Sequence, residues 1–181
     1  MGDFFRKWLL WLRRMAPERL LLLALVVLAV GLWVAAGRSL PRPLEVVAFA
    51  VGDGDALLIR TPGGRTMLID GGSRSIPQVG EGVLVPNLML LGVRKLDVVL
   101  ITHPDSDHLN GLPAVLANLP TGQLLDTDPS CDNTSYQRIR EYARQHNIPH
   151  QRLRAGSVIT LDSRMRLRVL SPATLPDGGK A

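Results

Sequence analysis

Residues 96–108 read LDVVLITHPDSDH, and this stretch decides the fold and the site that we expect. Its first part, residues 96–102, is almost continuously apolar, which predicts a strand buried on both faces of a sheet. Ligand-type polar side chains follow at once. We therefore expect a layered α/β domain that carries its chemistry at the end of this strand.

Four side chains of the kind that bind metals lie within six positions: His103, Asp105, Asp107 and His108. On an extended segment His103 and Asp105 project to the same side, because side chains alternate along a strand. Asp107 and His108 follow where the chain turns toward the next helix, so they can reach a second point close by. Imidazole plus carboxylate suits a divalent metal, and positions left open to water would make the site catalytic.

The alternative interpretation of this segment is a polar loop in which Asp and Ser cap a helix. The density of ligand types directly after a buried strand favours the metal site. Two aspartates make the site harder than an all-histidine site, which favours Mn²⁺ or Mg²⁺ and leaves Zn²⁺ open. Asp70 is predicted to support the metal loop from behind, with turn formation beside Gly71 and Gly72 as its alternative role.

An uncharged apolar run, LLLLALVVLAVGLWVAAG, occupies residues 20–37. At about 1.5 Å per residue, a helix of this length just crosses a hydrocarbon core roughly 30 Å thick. We interpret it as a retained single transmembrane anchor. A cleaved signal peptide, with a cut near Val34-Ala35-Ala36, is the alternative.

Basic residues are distributed unequally around this run. Five precede it and two follow it closely: Arg6, Lys7, Arg13, Arg14 and Arg19, then Arg38 and Arg42. The basic excess predicts a cytoplasmic N-terminus and an extracytoplasmic C-terminal domain. The chain is thus divided into a basic segment 1–19, the apolar helix 20–37, a linker 38–44 and an α/β domain 45–181.

The net charge of +5 does not by itself indicate a nucleic-acid binder. From Pro43 to the end, the chain has fourteen Lys or Arg and fourteen Asp or Glu. The domain therefore has no net charge that would attract phosphate over a long range. Two local arginine sets remain, for which a solvated face is the favoured interpretation: Arg138, Arg140, Arg144, Arg152 and Arg154, and Arg164, Arg166 and Arg168. Cys131 is the single cysteine, which excludes a disulfide framework within the chain.

Hydrophobic periodicity and turn residues predict seven strands and three helices in the domain. The predicted strands are 45–51, 56–60, 66–70, 96–102, 122–126, 157–162 and 164–170. The predicted helices are 87–91, 113–118 and 135–146. Pro149 follows the last helix, as expected of a helix stop.

Three segments, in this order and spacing, resemble the metallo-β-lactamase-like domain of ComEC-type competence proteins. The segment 103–108 resembles the HxDxDH form of the HxHxDH metal motif. VGDGDA at residues 51–56 and LIDGG at residues 68–72 resemble the VGQGDA and LIDGG segments that precede it. The chain departs from the family at Ala50, Asp53 and Asn110, where the family has aspartate, glutamine and glycine.

The resemblance implies an αββα sandwich, of which this chain carries the N-terminal part, and a site for two divalent ions, Zn²⁺ or Mn²⁺ with Mg²⁺ as an alternative. In that site His103, Asp105, Asp107 and His108 bind metal, and Asp107 is also assigned a catalytic role in hydrolysis by a metal-activated water. Asp55, in the turn of the VGDGDA segment, and Asp70 are expected to support the ligands. The family is linked to DNA uptake, with a proposed nuclease role.

The family's later TGD and HHGS segments, which supply a bridging aspartate and a further histidine, have no counterpart here. We therefore expect an incomplete domain, and His146 and His150 do not resemble substitutes. Three functions stay open: a membrane-anchored phosphodiesterase or nuclease, a non-catalytic fragment or pseudoenzyme that binds DNA or a protein partner at the membrane, and a related hydrolase with another exported substrate. No pattern identifies the substrate-binding residues.

Overall fold

The structure, a computed structural model, describes residues 16–39, 43–127 and 133–171. The chain forms two compact units, residues 1–41 and 42–181. Most of the basic segment 1–19, part of the linker 38–44, and Cys131 lie outside the described residues, so the expectations for them stay predictions.

The first unit contains helix α1, Pro17–Ser39. At about 1.5 Å per residue its 23 residues extend about 34 Å. Within the described residues it is the one helix long and apolar enough to cross a membrane, and its segment Pro17–Val34 has a mean hydropathy of 2.0. None of that segment is buried, which is expected of a helix whose apolar side chains face lipid. A signal sequence has the same features, so both interpretations of the sequence remain.

The second unit is built on a six-stranded sheet with the order β1-β2-β3-β4-β5-β6. The strands are β1 Glu45–Ala48, β2 Leu57–Arg60, β3 Thr66–Ile69, β4 Val98–Ile101, β5 Leu124–Asp126 and β6 His150–Arg152. The first three strands pair antiparallel, and β3 to β6 run parallel. The carboxyl ends of β3, β4 and β5 therefore meet at one edge of the sheet.

The helices of this unit lie between the strands in sequence. A π-helical turn, Gly80–Leu84, leads into α2, Val85–Leu90; α3 Ser106–Leu109, α4 Leu112–Asn118 and α5 Thr134–Gln145 follow. Asn133 begins α5, because its side chain accepts hydrogen bonds from the amides of Ser135 and Tyr136. A separate antiparallel hairpin, β7 Val158–Asp162 and β8 Met165–Arg168, ends the described chain.

Alternate residues of the central strands enter two different cores. Leu58, Leu68, Val99 and Leu124 pack with the helices, whereas Ile59, Met67, Val98 and Leu125 pack with the hairpin. The sheet is thus covered by helices on one face and by β7 and β8 on the other. This mixed α/β architecture confirms the predicted fold class and is consistent with the metallo-β-lactamase fold.

The seven predicted strands are present with shorter bounds, and the three predicted helices are present with bounds shifted by one or two residues. The expected strand 45–51 ends at Ala48, and the expected strand 96–102 is β4, Val98–Ile101. The sequence patterns did not indicate β6 or the π-helical turn. Strand β6 has the exposed polar sequence HQR and so lacks the apolar alternation by which a strand is recognised. The two arginine sets are exposed, as the solvated-face interpretation expects.

An ion-pair cluster around Asp97 aligns the starts of β3 and β4. The Asp97 carboxylate accepts hydrogen bonds from the Thr66 amide at 2.9 Å, the Arg65 guanidinium at 2.7 Å and the Lys95 ammonium at 2.9 Å. Burial alone would raise the pKa of Asp97, but these three donors together lower it to about 2. The clamp sets the register of the strand whose opposite end leads into the candidate site.

Candidate metal centre

Three loops converge at the carboxyl edge of the sheet and are joined by backbone hydrogen bonds. The amide of Asp55 donates to the carbonyl of Asp107 at 3.1 Å, and the amide of Gly72 donates to the carbonyl of Asp55 at 3.2 Å. The amide of Gly71 donates to the carbonyl of His108 at 2.7 Å. The segments that resemble VGQGDA, LIDGG and HxDxDH are therefore in direct contact.

Close approach of these loops explains the glycines in two of the segments. A Cβ atom on Gly72 would lie 2.4 Å from the carbonyl carbon of Asp107 and 2.5 Å from the amide nitrogen of His108. A Cβ atom on Gly54 would lie 2.3 Å from the carbonyl oxygen of Gly72. Because these neighbours are backbone atoms, a larger residue requires the loops to separate.

Asp70 contacts the loop that carries the predicted ligands through both of its carboxylate oxygens. It adopts a left-handed conformation with φ of 56°, and its side chain is only 4% exposed. One carboxylate oxygen accepts the Thr102 amide at 2.8 Å; the other accepts the Thr102 hydroxyl at 2.6 Å and lies 3.0 Å from Nδ1 of His108. We assign the His108 proton to Nδ1 from this contact, which leaves the lone pair of Nε2 available to a metal.

The four predicted ligands form two imidazole–carboxylate pairs. Nε2 of His103 lies 3.6 Å from Oδ2 of Asp105, and Nε2 of His108 lies 3.6 Å from Oδ2 of Asp107. The two imidazole rings are neighbours, with centroids 3.7 Å apart and planes inclined by 49°. The first pair is half-exposed, whereas His108 and Asp107 are 11% and 12% exposed in their side chains.

Asp55 lies on the ligand side of the site rather than behind it. Its Oδ2 atom is 3.7 Å from Nε2 of His108, the same nitrogen that Asp107 faces, and its side chain is 66% exposed. The sequence analysis expected a supporting role for Asp55. Its position would also allow it to contact an ion, because its carboxylate faces the same imidazole nitrogen as Asp107.

The donor pairs fit a divalent ion in chemistry and spacing. Two ligands about 2.1 Å from one tetrahedral ion are about 3.4 Å apart, close to the observed separations. Among the described residues, however, no three His, Cys, Asp or Glu side chains are grouped so that they could hold an ion. Each pair thus offers two donors, and a complete coordination shell needs water or other groups.

Arg74 also faces this site, and the sequence analysis did not single it out. One terminal nitrogen of its guanidinium lies 2.9 Å from Oδ1 of Asp107. That oxygen is buried and makes no hydrogen bond, so the contact is electrostatic in character without hydrogen-bond geometry. The signal available in the sequence was the place of Arg74, two residues after the segment 68–72 that resembles LIDGG.

Asn110, a departure from the family pattern, connects the same loops. Its amide group donates to the carbonyl of Ser73 at 2.6 Å, and its carbonyl oxygen accepts the Ser73 amide at 2.9 Å. The Ser73 hydroxyl in turn accepts the amides of Ser75 and Ile76. The glycine that the family has at this position could not make these bonds, because it has no side chain.

A second polar cluster lies at the end of β5, next to β4 in the sheet. The buried Asp126 accepts the Tyr136 hydroxyl at 2.5 Å, and the same oxygen lies 2.6 Å from Nε2 of His150. His146 stacks on Tyr142, with ring centroids 3.8 Å apart. The two histidines that the sequence analysis set aside as ligands thus have other neighbours.

The profile of the Metallo-beta-lactamase superfamily matches residues 50–146, which include all three resembling segments. The chain is 25% identical over 141 residues to "ComE operon protein 3" of Bacillus subtilis (strain 168), a match that covers 71% of this chain and 18% of that protein. It is 28% identical over 172 residues to "Competence protein ComA" of Neisseria gonorrhoeae, with coverage of 80% and 24%. The chain therefore spans about a quarter or less of the length of these curated relatives.

Proposed function

We propose that this chain, which belongs to the metallo-beta-lactamase superfamily and is related to competence proteins, is a metal-dependent phosphodiesterase held at the membrane by α1. The proposal depends on the two imidazole–carboxylate pairs at the carboxyl edge of the sheet. Two imidazole nitrogens each lie 3.6 Å from a carboxylate oxygen, and the two rings are in contact. The superfamily consists generally of hydrolases, and this donor set supports hydrolysis here.

The residues of the chain have distinct roles in this proposal. His103 and Asp105 would hold one divalent ion, and Asp107 and His108 a second. A bound ion supplies Lewis acidity and lowers the pKa of a coordinated water. Asp70 keeps the His108 ring in the orientation that directs Nε2 outward, and the half-exposed side of the site leaves room for a substrate.

The substrate and the location are the finer parts of the proposal. A hard, oxygen-rich donor set with Mn²⁺, Zn²⁺ or Mg²⁺ suits phosphoryl oxygens. The names of the relatives, together with the resemblance to a family linked to DNA uptake, favour DNA as the phosphodiester. We propose that α1 crosses the membrane once, with the N-terminus in the cytoplasm and the domain outside, because the basic residues concentrate before its apolar run 20–37.

A second candidate function is supported by one specific observation. Because no group of three donors is present among the described residues, the site favours weak metal binding, and a domain that holds DNA or a protein without cleaving it is consistent with that. A hydrolase for another exported substrate would share the same site.

The test uses the full chain in detergent, stripped of metal and then titrated with Mn²⁺, Zn²⁺ or Mg²⁺. We expect metal-dependent hydrolysis of bis(p-nitrophenyl) phosphate and of a labelled single-stranded oligonucleotide, and loss of both in Asp107→Ala. Binding of metal without turnover would favour the non-catalytic function. Equal metal affinity of the wild type and Asp107→Ala would remove the proposed site.

A further inference from the structure

The guanidinium of Arg74 lies beside the carboxylates of the candidate metal centre. Asp55, Asp70 and Asp107 bring three carboxylates around His108, and Asp107 is nearly buried. Among the ion pairs of the described residues, Arg74 is the one lysine or arginine that contacts any of these three carboxylates. It therefore supplies the positive charge nearest to Asp107.

The backbone of Arg74 is held by hydrogen bonds, whereas its side chain is largely exposed. Its amide donates to the carbonyl of Asp53 at 2.7 Å, and the amide of Asp53 donates to the Ser75 hydroxyl at 2.9 Å. The adjacent Ser73 is joined to Asn110 by two hydrogen bonds. The Arg74 side chain is 58% exposed and makes an ion pair without a hydrogen bond, so its guanidinium can leave Asp107 when a metal ion replaces its positive charge there.

We propose that Arg74 is an internal counter-ion that competes with the metal for Asp107 and, once displaced, binds the anionic group of the substrate. This inference rests on the proposed function. An ion at Asp107 would repel a guanidinium 2.9 Å from that carboxylate, because like charges at such a distance are unfavourable. The anchored backbone keeps the displaced guanidinium beside the ion, and its planar fork of donors matches phosphoryl oxygens.

Removal of the Arg74 charge should strengthen metal binding and weaken phosphate binding. In Arg74→Gln the metal has no competitor, so its dissociation constant should fall by about three- to tenfold, the range expected for a partly exposed charge pair. Phosphate binding loses its guanidinium, so the dissociation constant of inorganic phosphate should rise by about tenfold. A residue with only a structural role would weaken both kinds of binding or neither.

The experiment measures Mn²⁺ affinity by isothermal titration of the full chain in detergent, and then phosphate binding by the Mn²⁺-loaded chain. Arg74→Lys retains the charge and should keep a metal affinity near that of the wild type. Arg94→Gln is the matched control, because Arg94 is an exposed arginine that precedes β4, at the opposite end of that strand from the site.

The outcomes separate this inference from the proposed function. If the wild type binds no metal, the proposed function and the role of Arg74 fail together. If the wild type binds Mn²⁺ and Arg74→Gln binds it equally or more weakly, the counter-ion role is overturned and the metal site stands. Unchanged phosphate affinity in Arg74→Gln would overturn the substrate role.

Discussion

The Nδ1 atom of His108 lies 3.0 Å from the Oδ2 atom of Asp70, across 38 residues of sequence. The same oxygen accepts the Thr102 hydroxyl, and the other oxygen accepts the Thr102 amide. One buried carboxylate therefore orients a predicted metal ligand and also fixes the chain where β4 ends. Removal of its negative charge should therefore weaken metal binding at the site more than it destabilises the fold.

Asp70→Asn should weaken metal binding by ten- to a hundredfold, the usual cost of losing a carboxylate partner of a ligating histidine. Asparagine tolerates the left-handed backbone of this position, so the loop can keep its course. Its amide group, however, donates toward Nδ1 of His108 and favours the proton on Nε2, which removes the lone pair that a metal needs. Titration with Mn²⁺ measures the change.

Asp97→Asn is the control for this substitution, because it alters a carboxylate at the other end of β4. It should leave metal affinity within about twofold of the wild type. A loss of affinity as large as that of Asp70→Asn would mean that metal binding responds to general destabilisation instead of to the His108 contact.

Gly72→Ala should disrupt the site, because its Cβ would meet backbone atoms of Asp107 and His108 at 2.4 and 2.5 Å. We expect about 1–3 kcal/mol of destabilisation and weaker metal binding, as the loops must separate. Gly82→Ala is the matched control, since nothing lies within 4 Å of its Cβ position. Urea unfolding followed by circular dichroism compares the two; equal stability of both variants would contradict the close approach.

Asp97 should make stability depend on pH in acid. Its folded pKa of about 2 lies below the ordinary value of 3.8, so it stabilises the folded chain above that ordinary value and loses this contribution as the pH falls toward 2. The expected size is on the order of 1 kcal/mol, because the Arg65 and Lys95 partners are half-exposed and screened by solvent. The difference in unfolding free energy between wild type and Asp97→Asn should therefore shrink between about pH 4 and pH 2; a difference that stays constant over this range would contradict the clamp.

Tyr136→Phe should destabilise the domain by about 1–3 kcal/mol without changing metal affinity. The substitution removes a donor from Asp126, which is 1% exposed and whose other oxygen makes no hydrogen bond. Phenylalanine keeps the packing of the fully buried ring. Thermal unfolding measures the stability, and a parallel Mn²⁺ titration tests whether this cluster is independent of the candidate centre.

Charge in the middle of α1 should abolish membrane association. Arginine at the centre of a transmembrane helix costs about 2.5–3.5 kcal/mol on insertion scales, so Leu25→Arg combined with Leu28→Arg should move the chain from the membrane fraction. Leu25→Val with Leu28→Val is the control. A C-terminal fusion to a reporter that is active only outside the cytoplasm tests orientation, and activity only in the cytoplasm would reverse our assignment.

The sequence predicted the fold and the site best where ligand-type residues directly follow a hydrophobic strand pattern. The apolar run before His103 indicated β4, and the ligand types after it indicated the pairs that the fold brings together, because consecutive residues at a strand end remain neighbours in space. The three-segment resemblance likewise indicated the superfamily, since its motifs meet at one sheet edge. Local sequence was sufficient for these features.

Features that depend on tertiary contact were not predicted. The contact of Arg74 with Asp107 joins two loops that only the folded sheet brings together, so neither loop alone indicates it. The sequence predicted a supporting role for Asp55, and its 3.7 Å distance from Nε2 of His108 depends on loops that are far apart in the chain. The short polar strand β6 exists because β5 offers it a hydrogen-bonding edge, which no pattern within His150–Arg152 reveals.

The backbone bonds that join Asp55 and Gly71 to the loop of Asp107 and His108, and Gly72 to Asp55, have a thermodynamic consequence. These loops are distant along the chain and meet only after the sheet has formed, so binding of a metal at the proposed centre would be coupled to folding. An excised hexapeptide of residues 103–108 would thus be a poor mimic of the centre. Conversely, any cation that prefers the assembled loops acts as a stabiliser of the whole domain.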